Sequence, residues 1–277
     1  MSCTRYSRYK SDNFVLSHTR FDPINQEKTN PHATITEYEF MYFYDVSAIY
    51  HIEDKAFPID KGSLVITHPG MTHNFVNTPA SVQDRFHTRI NPSLFSSDIV
   101  KHIPKDLFVI NVDEDSMLVS LFKKVDYYCQ NIDDESLLRP LLIHTVEEIV
   151  YNIILNHKKQ NTAANYSINP VFSKVIAFID DNIHEDITID TICKENFVSK
   201  SYLHQLFLQR LAKTPKKYIL EKKLFLAQTD IRHGKLPTEV YSDYGFANYS
   251  TFYRCYKNLL HRTPSEDYKY CNSEKNK

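Results

Sequence analysis

The hydrophobic repeat of this chain changes period once, near Asn111, and that change limits the folds open to it. Between residues 13 and 90 the apolar side chains come in short runs rich in β-branched and aromatic residues, EFMYFY, SAIYHI, SLVIT and DRFHTRI, broken by turn signals at Lys61-Gly62 and Pro69-Gly70. Runs of this kind suit strands, and several in succession without intervening helices suit a sandwich or barrel. Beyond Asn111 the spacing becomes three and four. A first helix is expected over 115–130. A second, from Asp134, carries Leu138, Leu141, Leu142, Val146, Ile149, Val150 and Ile153 in one stripe. Such a stripe must be covered, either by the strand domain or by a second copy of the chain as the seam of a homodimer. The polar run KKQNTAANYS has no period and reads as a linker over 158–168. From Asn169-Pro170, a helix cap followed by a first-turn proline, the pattern is helical. The expected fold class is α+β in two domains: a strand barrel over 1–112 with a helical connector over 113–157, the linker, and an all-helical domain over 169–277.

Composition narrows the function. A chain of 277 residues is long enough for two ordinary cores. It lacks the roughly 20 consecutive apolar residues of a membrane helix, and MSCTRYSRYK has no apolar signal core, so a soluble, cytoplasmic protein with no membrane partner is expected. The five cysteines form no CxxC pair, which suggests reduced thiols rather than a zinc knuckle or disulfide framework. No GxSxG, Walker or GxGxxG pattern occurs, and four glycines leave little room for a phosphate-cradling loop, so an enzyme is not expected, nor a cofactor. Divided at residue 165, the front part carries a net charge of −5 and the back part +4. A basic back half suits a polyanion.

One of the four glycines stands in YGFANYSTFYRCYK, residues 244–257, just ahead of an expected helix. Two short helices that meet at a steep angle need one turn residue with positive φ, which glycine adopts without steric cost. Gly245 then makes the corner, Phe246 plugs the core below it, Asn248 caps the next helix, and Val240, Phe252 and Tyr256 turn inward. Tyr249, Ser250, Tyr253 and Arg254 remain on the outer face, as a solvated surface or as readers of base edges: Arg254 is suited to guanine, the tyrosines to thymine methyls or phosphates.

The same arrangement occurs earlier, in TIDTICKENFVSKSYLHQLFLQRLAKTPKKYI, with Ile192 and Leu203 inward, Ser199 as cap, and Lys200, Ser201, His204 and Gln205 outward. The paired Thr214-Pro215 and Thr263-Pro264, Leu224 and Ala227 between the units, and the set Gly245, Phe246, Ser250, Phe252 and Lys257 carry a resemblance to the tandem helix-turn-helix domain of AraC/XylS-type transcription regulators. It covers about 100 C-terminal residues. The resemblance implies double-stranded DNA as partner, with two units on one rigid helix over 216–233 entering successive major-groove segments. Lys213, Lys216, Lys217, Lys257 and Arg262 are positioned to meet phosphates and to make binding salt-dependent. The chain departs from the family pattern at several points. Phe197 stands where glycine is common, so Asn196 is expected to take the left-handed turn. Cys193 and Tyr241 fill alanine-like positions, and Ala212 and His261 replace glycines.

The segment HATITEYEFMYFYDVSAIYHIEDKAFPIDKGSLVITHPGMTHNF resembles the cupin-like barrel that precedes this domain in many family members. The likeness implies a small-molecule effector, with His32, Glu39, Tyr42, His68 and His73 around the barrel mouth. It also implies a bacterial activator, homodimerisation and RNA polymerase as a partner. A metal-dependent cupin enzyme is the alternative. Its ligand set is incomplete, because Ala33 and Ile35 occupy the places of the paired histidines, and no metal is expected. The third reading is an effector-independent regulator, controlled by abundance or by a protein partner, whose barrel only dimerises and docks on the helical domain.

Overall fold

The computed structural model describes residues 3–22, 33–34, 37–78, 81–96, 99–157, 166–167 and 169–274. The strand half comprises β1 (Cys3–Ser11), β2 (Phe14–Phe21), β3 (Ala33–Thr34), β4 (Tyr38–Asp45), β5 (Ala48–Ile52), β6 (Lys55–Ile59), β7 (Ser63–Thr67), β8 (Thr72–Asn77), β9 (Gln83–Ile90) and β10 (Val109–Asn111). They form two sheets in which neighbouring strands pair antiparallel, β1-β2-β9-β4-β7-β10 and a second containing β6-β5-β8-β3. The tight turns that join them fall at Gly62 (φ 84°) and Gly70 (φ 82°), where the sequence placed them.

Strand alternation divides the side chains of β4 between two cores. Met41 and Phe43 point between the sheets, where they meet Tyr50, Phe57, Phe75 and Phe108. Phe40 and Tyr42 point the other way, into a core closed by α1 (Met117–Asn131) and α2 (Glu135–His157). The stripe of α2 is used up here. Leu142, Val146, Ile149 and Ile153 are fully buried against the outer face of the six-stranded sheet and α1, with Leu138 packed on the same core and Leu141 half-buried. A dimer seam made of these residues is therefore corrected: a protomer buries them itself, because an exposed sheet face is the nearest apolar surface. The outer side of α2 presents Leu137, Tyr151 and Leu155 instead.

Of the expected linker, residues 158–165 and 168 lie outside the described residues, and Tyr166–Ser167 form a strand, β11, paired antiparallel with β6. The remainder is helical: α3 (Pro170–Asp181), α4 (Ile189–Glu195), α5 (Lys200–Leu211), α6 (Pro215–Arg232), α7 (Pro237–Asp243), α8 (Tyr249–Leu260) and α9 (Pro264–Glu274). Side chains of Asn169, Thr188, Ser199, Thr214 and Asn248 cap five of these helices, each bond worth about 1 kcal/mol. Two small cores result, one around Phe172, Phe207 and Tyr218, the other around Leu224, Ala227, Phe252 and Tyr256. Helix α6 contributes to both. No helix among the described residues is long and apolar enough to cross a membrane.

The two halves meet along α6. Glu53, in the β5–β6 turn with φ 50°, is buried and accepts from the Thr72 amide at 2.6 Å and from the Tyr218 hydroxyl of α6. Lys222, one turn further along, donates to Tyr218 Oη at 3.0 Å and pairs with Asp180 of α3 at 2.5 Å. Burial raises the Glu53 carboxyl above its ordinary value, opposed by the Lys222 charge. Beside them Lys213 Nζ bonds Glu221 at 2.7 Å and Thr72 Oγ1 at 3.3 Å.

Candidate nucleic-acid interface

Each unit of the helical domain offers one helix N-terminus to the outside. In the first, Ser199 Oγ accepts from the Tyr202 amide and starts α5, whose Lys200, Ser201, His204 and Gln205 are all exposed. With Leu208 and Gln209 they line an open depression of about 680 Å³. Lys200 pairs with Asp190 at 2.5 Å, but both side chains are mostly exposed, so the pair is worth little and either can be recruited elsewhere.

The corner before α5 corrects the sequence reading. Phe197, not Asn196, takes the left-handed conformation, with φ 55°, and its side chain is 96% exposed. Asn196 stays at φ −102° because its side-chain amide bonds the Ile192 carbonyl at 3.0 Å, satisfying the end of α4. The left-handed turn then falls on the next residue. Ala212 and His261, the other two replaced glycines, also take positive φ, at 52° and 55°.

In the second unit Asn248 Oδ1 accepts from the Thr251 amide at 2.8 Å and starts α8. Ser250, Arg254 and Lys257 are exposed, Tyr249 and Tyr253 half-buried. Tyr249 is shared between the surface and the local core, its ring 5.9 Å from Tyr241 and 6.0 Å from Phe252. Gly245 has φ 66°, and a Cβ there would lie 2.6 Å from the Glu185 carbonyl oxygen. The glycine thus serves the corner and also lets the second unit seat its backbone on the turn after α3. Lys223 of α6 ties the two together, bonding the Tyr244 carbonyl at 2.9 Å and the Glu185 carbonyl. The relative setting of the units is fixed by these contacts.

Of the expected phosphate contacts, Lys216, Lys217 and Lys257 are exposed. Lys213 is not: it is turned into the contact between the halves, where Glu221 and Thr72 hold it. Its departure follows from the left-handed Ala212, which redirects the chain just before it. Arg262 is partly exposed and stands 3.7 Å from Asp267. Asp267 itself escaped the sequence reading. It is 1% exposed and accepts from Arg232 at 3.0 Å, Gln228 at 2.7 Å and the Tyr256 hydroxyl at 2.7 Å, so it joins α6, α8 and α9. Its position three residues into a helix opened by Thr263-Pro264 reads as an ordinary acidic first turn.

Of the expected barrel-mouth residues, only Glu39 and His73 come together among the described residues. His32 lies outside the described residues. Tyr42 faces the helices, stacked on Phe122 at 5.0 Å, because it alternates with Glu39. His68 bonds the Leu107 carbonyl at 3.2 Å, and burial lowers its pKa to about 4, so it is neutral. Glu39 and His73 do meet, at 2.9 Å, joined by His87 at 2.6 Å. Burial would raise the Glu39 carboxyl, but the bonds from His73 and His87 hold it well below its ordinary value. His87, an isolated strand histidine in the sequence, is thus half of a buried carboxylate clamp. Among the described residues no group of three or more His, Cys, Asp or Glu side chains is arranged to hold a metal ion.

Comparison with known proteins concerns mainly the helical domain. Residues 192–269 match the family described as "Helix-turn-helix domain". The chain is 28% identical over 110 residues to the XylDLEGF operon transcriptional activator of Pseudomonas putida, 38% of this chain and 34% of that protein. Among solved structures, ToxT from Vibrio cholerae O395 aligns over 92% of this chain and 97% of its own, at 15% identity and a TM-score of 0.39. The regulatory protein SoxS of Escherichia coli (strain K12) is 32% identical over 97 residues, 35% of this chain but 91% of SoxS. With residues 192–269, which hold the corners, caps and linking helix described above, matched to the helix-turn-helix family, an alignment that takes in nearly all of SoxS establishes that this chain belongs to the AraC-type transcription regulators.

Proposed function

We propose that the protein is a cytoplasmic transcription activator in which a small molecule held by the strand domain sets how the two helix-turn-helix units engage DNA. The observation that carries this reading is the contact along α6: Glu53 of the strand domain bonds Tyr218 on the helix shared by both units, and Lys222 extends the contact to Asp180. A ligand that changes the strand domain changes the setting of α6, and so the geometry offered to the duplex. The active species is a homodimer, for which the exposed Leu137, Tyr151 and Leu155 of α2 supply an apolar face, and RNA polymerase is its partner at the promoter.

Direct readout comes from Lys200, Ser201, His204 and Gln205 in one unit and Tyr249, Ser250, Tyr253 and Arg254 in the other. Full-length protein selected against a genomic DNA library tests this. Enriched sites are expected in the unmodified protein, relaxed at one position by Gln205→Ala and at another by Arg254→Ala, at about 1–3 kcal/mol each. Lys257→Ala is expected to weaken all sites alike and to lower the salt slope by about one. Enrichment that neither Gln205→Ala nor Arg254→Ala alters would exclude these helices as readers.

A further inference from the structure

At the tip of the β1–β2 hairpin, a cavity of about 260 Å³ opens between that tip, the start of β4 and the end of β9. Its polar lining comes from Lys10, Ser11, Asp12, Asn13, Glu37 and Arg89. Asn13 is only 3% exposed, yet neither its Nδ2 nor its Oδ1 has a hydrogen-bond partner. The Nε of Arg89 is likewise buried and unpartnered. Register places Lys10 and Arg89 on either side of Val15, with their side chains on the same face of the sheet. Leaving a buried amide and a guanidinium nitrogen unpaired is costly, and native proteins keep such groups where something else completes them. With one water occupying roughly 30 Å³ of liquid, the space suits a molecule of several heavy atoms.

We propose that this cavity is the effector site and takes a small carboxylic acid bearing a hydroxyl or amino group. Arg89, supported by Lys10, receives the carboxylate in a charge-assisted bond. Asn13 supplies a donor and an acceptor, and Glu37 a further acceptor, to the second group. The inference rests on the reading above that a small molecule controls DNA binding, and it gives that control a route. Glu37 Oε1 lies 3.8 Å from Arg232 Nη1, an atom with no hydrogen bond of its own. The other nitrogens of Arg232 hold Asp267, which holds the Tyr256 hydroxyl on the recognition helix α8. An occupant that draws Glu37 toward itself loosens that end of α6.

Calorimetric titration of full-length protein with L-malate, L-serine and L-glutamate, and with the corresponding amides, tests the site. At least one acid is expected to bind and its amide not to. Arg89→Gln and Asn13→Ala should each weaken binding at least about tenfold, which is 1.4 kcal/mol. Lys10→Gln, at an exposed side chain, gives the same readout should Arg89→Gln fail to fold. If no acid binds, or all three variants bind as the unmodified protein does, the cavity holds water only and the proposal is overturned. Operator binding separates this from the broader reading. Arg89-dependent ligand binding that leaves operator affinity and footprint unchanged keeps the site and overturns effector control. An acid-induced change in operator binding that survives Arg89→Gln keeps the control and overturns the site.

Discussion

The two helix-turn-helix units solve one corner with different residues. Phe197 and Gly245 both take positive φ, at 55° and 66°, but Phe197 turns beneath an open surface while Gly245 turns against the backbone of Glu185 and Asp186. A left-handed residue other than glycine costs about 1–2 kcal/mol, a sum the first unit absorbs and the second, with no room for a Cβ, cannot. The lesson is that a family position is constrained by what lies against it as much as by its own dihedral angles. The units differ below the corner too. Each closes over an apolar core, but that of the second is joined by a buried charge cluster at Asp267.

That contrast can be broken in order of expected effect. Asp267→Ala leaves the buried Arg232 with only the 3.8 Å approach of Glu37 and should cost about 3–5 kcal/mol. Site-resolved hydrogen exchange should show the loss concentrated in α7–α9 while α4 and α5 keep their protection. Gly245→Ala comes next, at about 3 kcal/mol, from the left-handed strain together with a Cβ 2.6 Å from the Glu185 oxygen. Equal loss in both units would mean that they unfold as one, and protection left intact would mean that the Glu185 turn yields. Phe197→Gly should do the opposite, stabilising the first unit by up to about 1 kcal/mol once the added freedom of the unfolded chain is deducted. A destabilising Phe197→Gly would show that the exposed ring has a contact of its own.

The smallest effect concerns the two Thr-Pro helix starts. Thr263 and Glu266 cap each other reciprocally, at 2.6 and 3.2 Å, whereas the corresponding residue after Thr214 is Lys217, which cannot return the bond. The bonds from Thr263 hold the Glu266 carboxyl below its ordinary value of 4.5. A carboxyl depressed in the folded state stabilises above that value and loses its contribution as pH falls through the folded one. Acidification below 4.5 should therefore fray the start of α9 and leave the start of α6 unaffected by this group.

Much of the architecture was legible in the sequence because it depends on local rules. The change of period marked where strands gave way to helices, Asn248 and Ser199 announced their caps, and Gly245 its corner. What escaped was decided by neighbours distant in sequence. The α2 stripe left open whether the strand half or a second copy would cover it, because the six-stranded sheet that does so is itself assembled from both ends of the strand half. Lys213 sits among exposed lysines in sequence but next to Thr72 in space, 141 positions away. The barrel-mouth set failed at Tyr42 by simple alternation, and Asn13 and Arg89 gave no motif because their joint position is a product of register.

The Glu53 contact also determines the manner in which the halves part. A carboxylate, a phenol and an ammonium withdrawn from water are favourable only while all are in place, so half-broken versions of the contact are worse than either intact or fully hydrated ones. Separation should consequently resemble a catch rather than a spring. The protein would divide into two populations exchanging slowly, with few molecules between them, and a signal would alter the proportion of each rather than the shape of either.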